Sequence, residues 1–276
     1  MLLLRVDVDG DGGAYPTVRA ATNQLGTFED IIHAGSAQPI GAAVGLLYSE
    51  TADIYYDTAG THGSELRGLY IALKHAGLPV EIFIEEDCTE QVGRLHYTDV
   101  LYVTQPHIST SATKGIASWV QAGGTLFATA GAGMLTEANA SNTAMSALLG
   151  VTQTALYTGS QDEFNNTVRL IKQDINFVDT LDNVTLSSEL LATLYKGDTA
   201  AGGMAGSSLV AKGAKSIFST TGSPTALATF SDGKPAMVRS AVGKGSTYYA
   251  GFLPGLAYFA SAIPLRPVDR EFHSVP

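Results

Sequence analysis

The stretch Trp119-Val120-Gln121-Ala122-Gly123-Gly124-Thr125-Leu126-Phe127-Ala128-Thr129-Ala130-Gly131-Ala132-Gly133 decides how this sequence folds. It reads as the end of a helix, a Gly-Gly reversal, a short apolar strand and a glycine-rich turn. In an α/β protein the loop after such a strand is where a ligand or a nucleophile sits. Here the loop offers only Gly, Ala and Met, so the place is right and the reactive groups are missing.

Upstream the pattern repeats. Ala43–Tyr48 is a continuous apolar run of buried-strand length, followed by a polar loop from Ser49 to Asp57. Ser64 to His75 is expected to be a helix, with Leu66, Leu69, Tyr70 and Leu73 on one face and Gly77 at its C-terminal cap. Val80–Ile84 is a second strand, ending in Glu85-Glu86-Asp87, and Val100–Val103 is a third, ending in Thr104-Gln105-Pro106-His107. Ser109–Gln121 is the next helix and Thr125–Thr129 the fourth strand. Strands and helices in this order, with short connections and right-handed crossovers, predict a parallel sheet between helices: a flavodoxin-like three-layer α/β sandwich.

Downstream of Gly150 the helical signal fades. Residues 152–225 are rich in Thr, Ser, Gly and Asn, with short strands expected at Val168–Ile171 and Val184–Leu186 and a mobile loop over Ala200–Ser208. Ala226–Phe230, Ala236–Ser240 and Ser246–Gly251, separated by the turns Ser231-Asp232-Gly233-Lys234 and Gly243-Lys244-Gly245, predict a β-meander whose last strand returns to the main sheet. Residues 1–40 are a lead-in, 41–255 the α/β domain (parallel core 41–150, β-rich insertion and closing strands 151–255), and 256–276 a tail. Within the lead-in, Leu2–Val8 reads as a strand and residues 17–33 as a short helix with Leu25, Phe28, Ile31 and Ile32 on one face. Asp7-Val8-Asp9-Gly10-Asp11-Gly12 matches the first half of a calcium loop, but its twelfth position is Val18 where a bidentate acid is required, so an Asp/Gly turn is expected.

Composition narrows the partners. Of 276 residues, 45% are hydrophobic and 15% charged, which are globular values. A net charge of −10 argues against nucleic acid and anionic membrane surfaces. Nothing reaches the ~18 apolar residues of a membrane span. The start reaches charge too soon for a signal peptide, and with an apolar strand at one end and Ser-Val-Pro at the other the chain is expected to be a piece of a longer one, its compartment open. One cysteine, Cys88, forms no internal disulfide, and it follows an acidic run that opposes thiolate formation.

The order Leu46-Leu47-Tyr48-Ser49-Glu50 with Asp53, then Leu69 through Val80, Tyr102, Trp119-Val120-Gln121-Ala122-Gly123-Gly124-Thr125-Leu126 and Leu148-Leu149-Gly150-Val151 resembles the trimerisation domain of bacterial β-galactosidases of glycoside hydrolase family forty-two. Asp232-Gly233-Lys234-Pro235-Ala236 followed by Gly243-Lys244-Gly245 is similar to the end of such modules, so the resemblance extends over most of the chain. It implies a class I glutamine-amidotransferase-like fold used for assembly, with a homo-oligomer, a trimer, as the expected partner state. In those enzymes the hydrolytic carboxylates lie on a preceding TIM barrel, whose pattern this sequence lacks, so glycosidase activity does not carry over.

Active amidotransferases of that fold carry a Cys on the turn after the central strand and a His-x-Glu near the last strand. The corresponding turn here is Ala130-Gly131-Ala132-Gly133, and Gly251-Phe252-Leu253-Pro254-Gly255 offers Leu253 and Gly255 in place of base and orienter. The triad works only as a unit, so no catalytic residue is assigned. Gly123-Gly124 precedes its strand and no GxGxxG or GK[ST] is present, so no phosphate cradle is read there; Gly131 and Gly133 leave room for a ligand's close approach. The histidines (His33, His62, His75, His96, His107, His273) show no HExxH or close pairing, so neither metal nor cofactor is expected.

One constellation carries chemistry. Glu50, Asp53, Glu85, Glu86, Asp87, His107 and Glu137 follow strand C-termini, which share one edge of a parallel sheet, with Tyr55, Tyr56 and His62 in the first of these loops. Carboxylates beside aromatic faces suit a carbohydrate or cation cleft, and Glu50, Asp53, Tyr56, His62, Glu86, His107 and Glu137 are the candidate ligand-binding set. Three functions compete: an assembly or accessory domain without catalysis; a glycoside-processing enzyme with two carboxylates about 5–10 Å apart; and a sugar- or metabolite-binding module.

Overall fold

Four short, mostly apolar strands seed the sheet. In a computed structural model, which describes residues 20, 22–24, 26–27, 44–55, 60–158, 180–188, 190 and 208–258, they are β1 (Val44–Leu47), β2 (Val80–Phe83), β3 (Val100–Val103) and β4 (Thr125–Ala128). All pair in parallel, β1 between β2 and β3, and β4 beyond β3. Between them run α1 (Glu50–Tyr55), α2 (Thr61–His75) and α3 (Thr110–Ala122). α4 (Thr143–Leu149) and β5 (Val151–Thr158) follow, then β6 (Thr180–Leu186), β7 (Ser208–Lys212), β8 (Ala214–Thr220), β9 (Thr225–Phe230), β10 (Pro235–Val242), β11 (Gly245–Ala250) and α5 (Pro254–Tyr258).

The main sheet has nine strands in the order β2-β1-β3-β4-β11-β10-β9-β6-β7, and β5 pairs with β8 in a separate two-stranded sheet. β11 lies parallel to β4, with Ser246 opposite Thr125 and Tyr249 opposite Ala128, while its other neighbour β10 is antiparallel. The fold is therefore a mixed α/β sandwich, parallel from β2 to β11 and antiparallel beyond. The expected meander is present as β9-β10-β11, and its last strand does return to the main sheet.

Helices cover both faces of the parallel half. On one, Leu69 and Leu73 of α2 meet Val44, Val80 and Tyr102. On the other, Ala112, Ile116 and Val120 of α3 meet Leu101, Val103, Leu126 and Ala128. Ile116 and Val120 have no exposed surface, and each contributes about 1.5–3 kcal/mol by leaving water. Ser109 caps α3 by accepting the Ala112 N–H. At its other end the N–H groups of Gly123 and Gly124 return to the carbonyls of Val120 and Trp119, and the Trp119 indole lies where a Cβ on Gly124 would stand, 2.2 Å from it. Gly124 is thus required by the packing of the neighbouring tryptophan, and Gly123 by its φ of +134°.

Asp182 of β6 joins the small sheet to the large one, receiving the ammonium of Lys215 on β8 at 2.5 Å and the hydroxyl of Ser231. Burial works against its charge, but Lys215, Ser231 and the Asn183 N–H outweigh it and pull the carboxyl down to about 2.

Three expectations need correction. Ser49–Asp57 is no loop: residues 50–55 form α1, because Ser49 Oγ accepts the Ala52 N–H and caps a single helical stretch. The helix expected from Ser64 begins at Thr61. The strand expected at Val184–Leu186 starts at Thr180, held between β7 and β9. Positions 20, 22–24, 26 and 27 are helical within the helix expected over 17–33. The Leu2–Val8 strand, the Asp7-Asp9-Asp11 turn, the Val168–Ile171 strand and nearly all of the Ala200–Ser208 loop lie outside the described residues. The chain divides into two compact units, Met1–Gly41 and Ala42–Pro276.

Candidate functional site

The C-terminal ends of β1, β2, β3, β4 and β11 form the edge at which the sequence places its chemistry. At the centre of the acidic loops is Glu85, buried at the end of β2. Its Oε1 lies 2.5 Å from Ser49 Oγ and accepts the Thr51 N–H at 3.2 Å; its Oε2 accepts the Thr51 hydroxyl at 3.0 Å and the Ser109 N–H at 2.7 Å. One carboxylate thereby closes the N-termini of both α1 and α3, where unpaired N–H groups and the positive ends of two helix dipoles stabilise an anion.

Glu137 holds the next donor on α3, accepting the Thr110 N–H at 2.8 Å and its hydroxyl at 3.0 Å. Its own backbone N–H together with these Thr110 donors keeps its carboxyl below the usual range. Tyr55 of α1 donates to the Glu137 carbonyl at 2.8 Å and stacks on the buried His107 ring, with centroids 4.3 Å apart. His107 Nε2 lies 2.8 Å from Asn139 Oδ1. Asp53 accepts the Tyr48 hydroxyl. Glu50 and Glu86 are exposed. The structure thus gathers Tyr55, Glu85, His107 and Glu137 around the start of α3, with their polar atoms engaged in holding loops together. Tyr56 lies outside the described residues.

His62 belongs elsewhere. It is buried on α2 with Nε2 3.0 Å from the Ala130 carbonyl, beneath the glycine-rich turn after β4. Burial lowers its pKa, with the Ala130 bond opposing, so the ring is neutral and donates. That turn keeps a sharp reversal: Gly131 has φ +80°, in the left-handed region that a side chain avoids. A Cβ there would meet Leu156 Cδ2 at 2.9 Å. The space in which a reactive side chain would stand on this turn is filled from β5. Around it Ala130, Ala214, Leu253 and Leu256 form a small apolar cluster with Leu156 against it.

Two groups near this turn gave no sequence signal. Glu65, one helical turn after His62, has no exposed surface, and its two oxygens accept the N–H groups of Gly255 and Leu256 at 2.8 Å each. Burial raises its carboxyl to about 7, against the opposing pull of those two bonds. His62 and Glu65 thus bind one face of α2 to the turn after β4 and to the start of α5. The second group is Tyr249 of β11, fully buried, whose hydroxyl accepts the Gly131 N–H at 3.2 Å and lies 2.8 Å from Ser216 Oγ and 3.2 Å from Gln153 Oε1. Burial lifts this phenol to about 12, so it stays protonated. The pattern that makes Glu65 and Tyr249 ordinary in sequence, one polar residue in an amphipathic element, conceals partners more than a hundred positions away.

Among the described residues no group of three or more His, Cys, Asp or Glu side chains is placed to hold a metal. No helix among them is long and apolar enough to cross a membrane.

No family model matches this sequence, and no curated protein matches it. Solved structures do match its fold. A GH42 β-galactosidase from G. stearothermophilus superposes with a TM-score of 0.53 at 16% identity, covering 76% of this chain and 27% of its own. The β-galactosidase of Rahnella sp. R3 gives 0.55 at 19% identity, covering 80% and 31%. An exo-β-1,4-mannosidase from Opitutaceae bacterium strain TAV5 gives 0.50 at 15%, covering 86% and 36%. The chain spans about a third of the length of these enzymes, and at such identities what it shares with that third is the fold.

Proposed function

We propose that this chain is a non-catalytic assembly or accessory domain of a carbohydrate-active protein, on a flavodoxin-like scaffold of the class I glutamine-amidotransferase kind. The strand order β2-β1-β3-β4-β11, all parallel, supports the scaffold. The likeness to one part of β-galactosidase and mannosidase chains supports the carbohydrate link.

The observation that carries the non-catalytic reading is the filled turn. Gly131 has the bend of a nucleophile elbow without a side chain, Leu156 occupies the space above it, and the positions that the resemblance gives to base and orienter hold the fully buried Leu253 and Gly255. Self-association is supported by β2, a sheet edge that leaves Ile82 at 45% exposed, with Ile84 just beyond its end at 37%. The acidic edge supports a glycosidase less well, because Glu85 and Glu137 already cap α1 and α3.

Light scattering on the purified chain, run beside glutamine hydrolysis and nitrophenyl-glycoside assays, tests this. The expected outcome is an oligomer of defined mass, a trimer by likeness, with no turnover. A monomer at every concentration, or turnover that Glu50→Gln and Glu86→Gln abolish, overturns it.

A further inference from the structure

A cavity of about 490 Å³ opens between the Gly131–Met134 turn, the start of α4 and β5. Its size lies within the range of small-molecule sites, about 300–1,000 Å³. Every residue lining it is uncharged. The walls carry the hydroxyls of Ser146, Thr152 and Thr221, which rotate to donate or accept, beside the apolar surfaces of Met134 and Leu156. An ionic ligand would lose its hydration here with no counter-charge to replace it.

One polar group in this wall is fixed from behind. The Gly131 N–H donates to Tyr249 Oη at 3.2 Å, the Tyr249 hydroxyl to Ser216 Oγ at 2.8 Å, and the Ser216 hydroxyl to Gln153 Oε1 at 3.0 Å. The head of this chain is a backbone N–H, which only donates; the single Tyr249 proton is shared between Ser216 Oγ and Gln153 Oε1, 3.2 Å away, and Ser216 makes the other bond to that amide oxygen. Tyr249 and Ser216 are fully buried, which locks the carboxamide plane. Gln153 Nε2 then turns away from the chain, and no described residue accepts from it. Gln153 thus brings a pair of N–H donors to the lining of the cavity with no acceptor for them among the described residues.

We propose that this cavity binds a neutral, hydroxyl-rich small molecule of monosaccharide size, with the Gln153 carboxamide as its fixed donor. Such a molecule brings acceptor oxygens for Nε2, hydroxyls that exchange bonds with the Ser and Thr rim, and C–H faces for Met134 and Leu156, and it carries no charge to desolvate. The inference needs only the cavity and the hydrogen-bond chain, and stands independently of the assembly reading.

Saturation-transfer NMR and calorimetry on the full chain test it, with D-glucose, D-galactose and D-mannose as neutral probes and glucuronate and glucosamine as their charged counterparts. At least one neutral sugar is expected to bind, with the charged sugars weaker by about tenfold or more. Gln153→Leu is expected to weaken binding about tenfold, the equivalent of its lost hydrogen bonds. Because that substitution also disturbs Tyr249 and Ser216, a second variant, Thr152→Trp, places bulk at the exposed rim and leaves the buried chain intact; it is expected to abolish binding. No neutral sugar bound, charged sugars bound equally well, or binding unchanged in Thr152→Trp would each overturn the proposal. A monomeric protein that still binds a neutral sugar at this cavity would refute the assembly reading and leave this one standing.

Discussion

Replacing Glu65 by glutamine separates the cost of a buried charge from the value of the bonds it makes. In the folded chain its carboxyl is fully buried and titrates at about 7, against 4.5 when exposed. Between those pH values the folded state keeps a proton that the unfolded chain releases. The stability this group contributes is therefore fully present below about pH 4.5 and is lost as pH rises through about 7. At about 1.4 kcal/mol for each pH unit between the two values, the loss amounts to about 3 kcal/mol. Glu65→Gln preserves the shape and cannot ionise. Its amide NH₂ must face the N–H of either Gly255 or Leu256, which strands one donor at a cost of about 1–3 kcal/mol. The variant is expected to be less stable than the parent at pH 5 by that amount, with the gap closing or reversing by pH 8. Urea unfolding of both proteins at a series of pH values gives the difference directly, because the other titrating groups, the neighbouring His62 among them, are common to both. A difference that stays constant from pH 5 to 8 would refute the reasoning.

Three further outcomes follow from the same geometry. Gly131→Ala strains a φ of +80° and drives a methyl into Leu156, costing about 1–3 kcal/mol; Leu156→Ala makes room, so a double-mutant cycle by chemical denaturation should show the pair costing less than the two singles together. Glu85→Gln can no longer accept from both α1 and α3 and should lose about 1–3 kcal/mol, with faster amide exchange at Thr51 and Ser109; a change confined to one helix would contradict the shared cap. Cys88 is buried, and burial together with the charges of Asp87 and Glu85 raises its thiol to about 12, so maleimide labelling should be slow in the native protein and should accelerate only through the unfolding transition.

The parallel half of the sheet was legible because its strands are short, mostly apolar runs and α3 shows an apolar face at helical spacing; of the face expected on α2, Leu69 and Leu73 are buried, but Tyr70 is exposed and His62, Ser64 and Glu65 are buried instead. α1 was not, since six residues make too few turns for a period to register, and its formation depends on Ser49 and on Glu85 from another loop. β5 and the start of β6 were missed because their half-exposed, Thr-rich strands look like loop composition. At the sheet edge the sequence supplied carboxylates in the right loops and no sign of what they bond. Glu85 and Glu137 resemble ligand groups until the backbone N–H groups of Thr51, Ser109 and Thr110 are placed against them. Gln153 carried no signal at all: its meaning comes from Tyr249 and Ser216, which only the closed sheet brings to it.

The position of β11 has a consequence for how this chain is made. The strand that completes the parallel half is synthesised long after β4, since the Gly131 and Tyr249 it joins are 118 positions apart. At about 5–20 residues per second, β4 waits on the order of 10 s with its Leu126–Ala128 edge unpaired. A nascent chain in that interval presents an apolar strand edge to every neighbour on the polysome. Production yield should therefore respond to holdase chaperones and to synthesis rate more strongly than the stability of the finished protein would indicate.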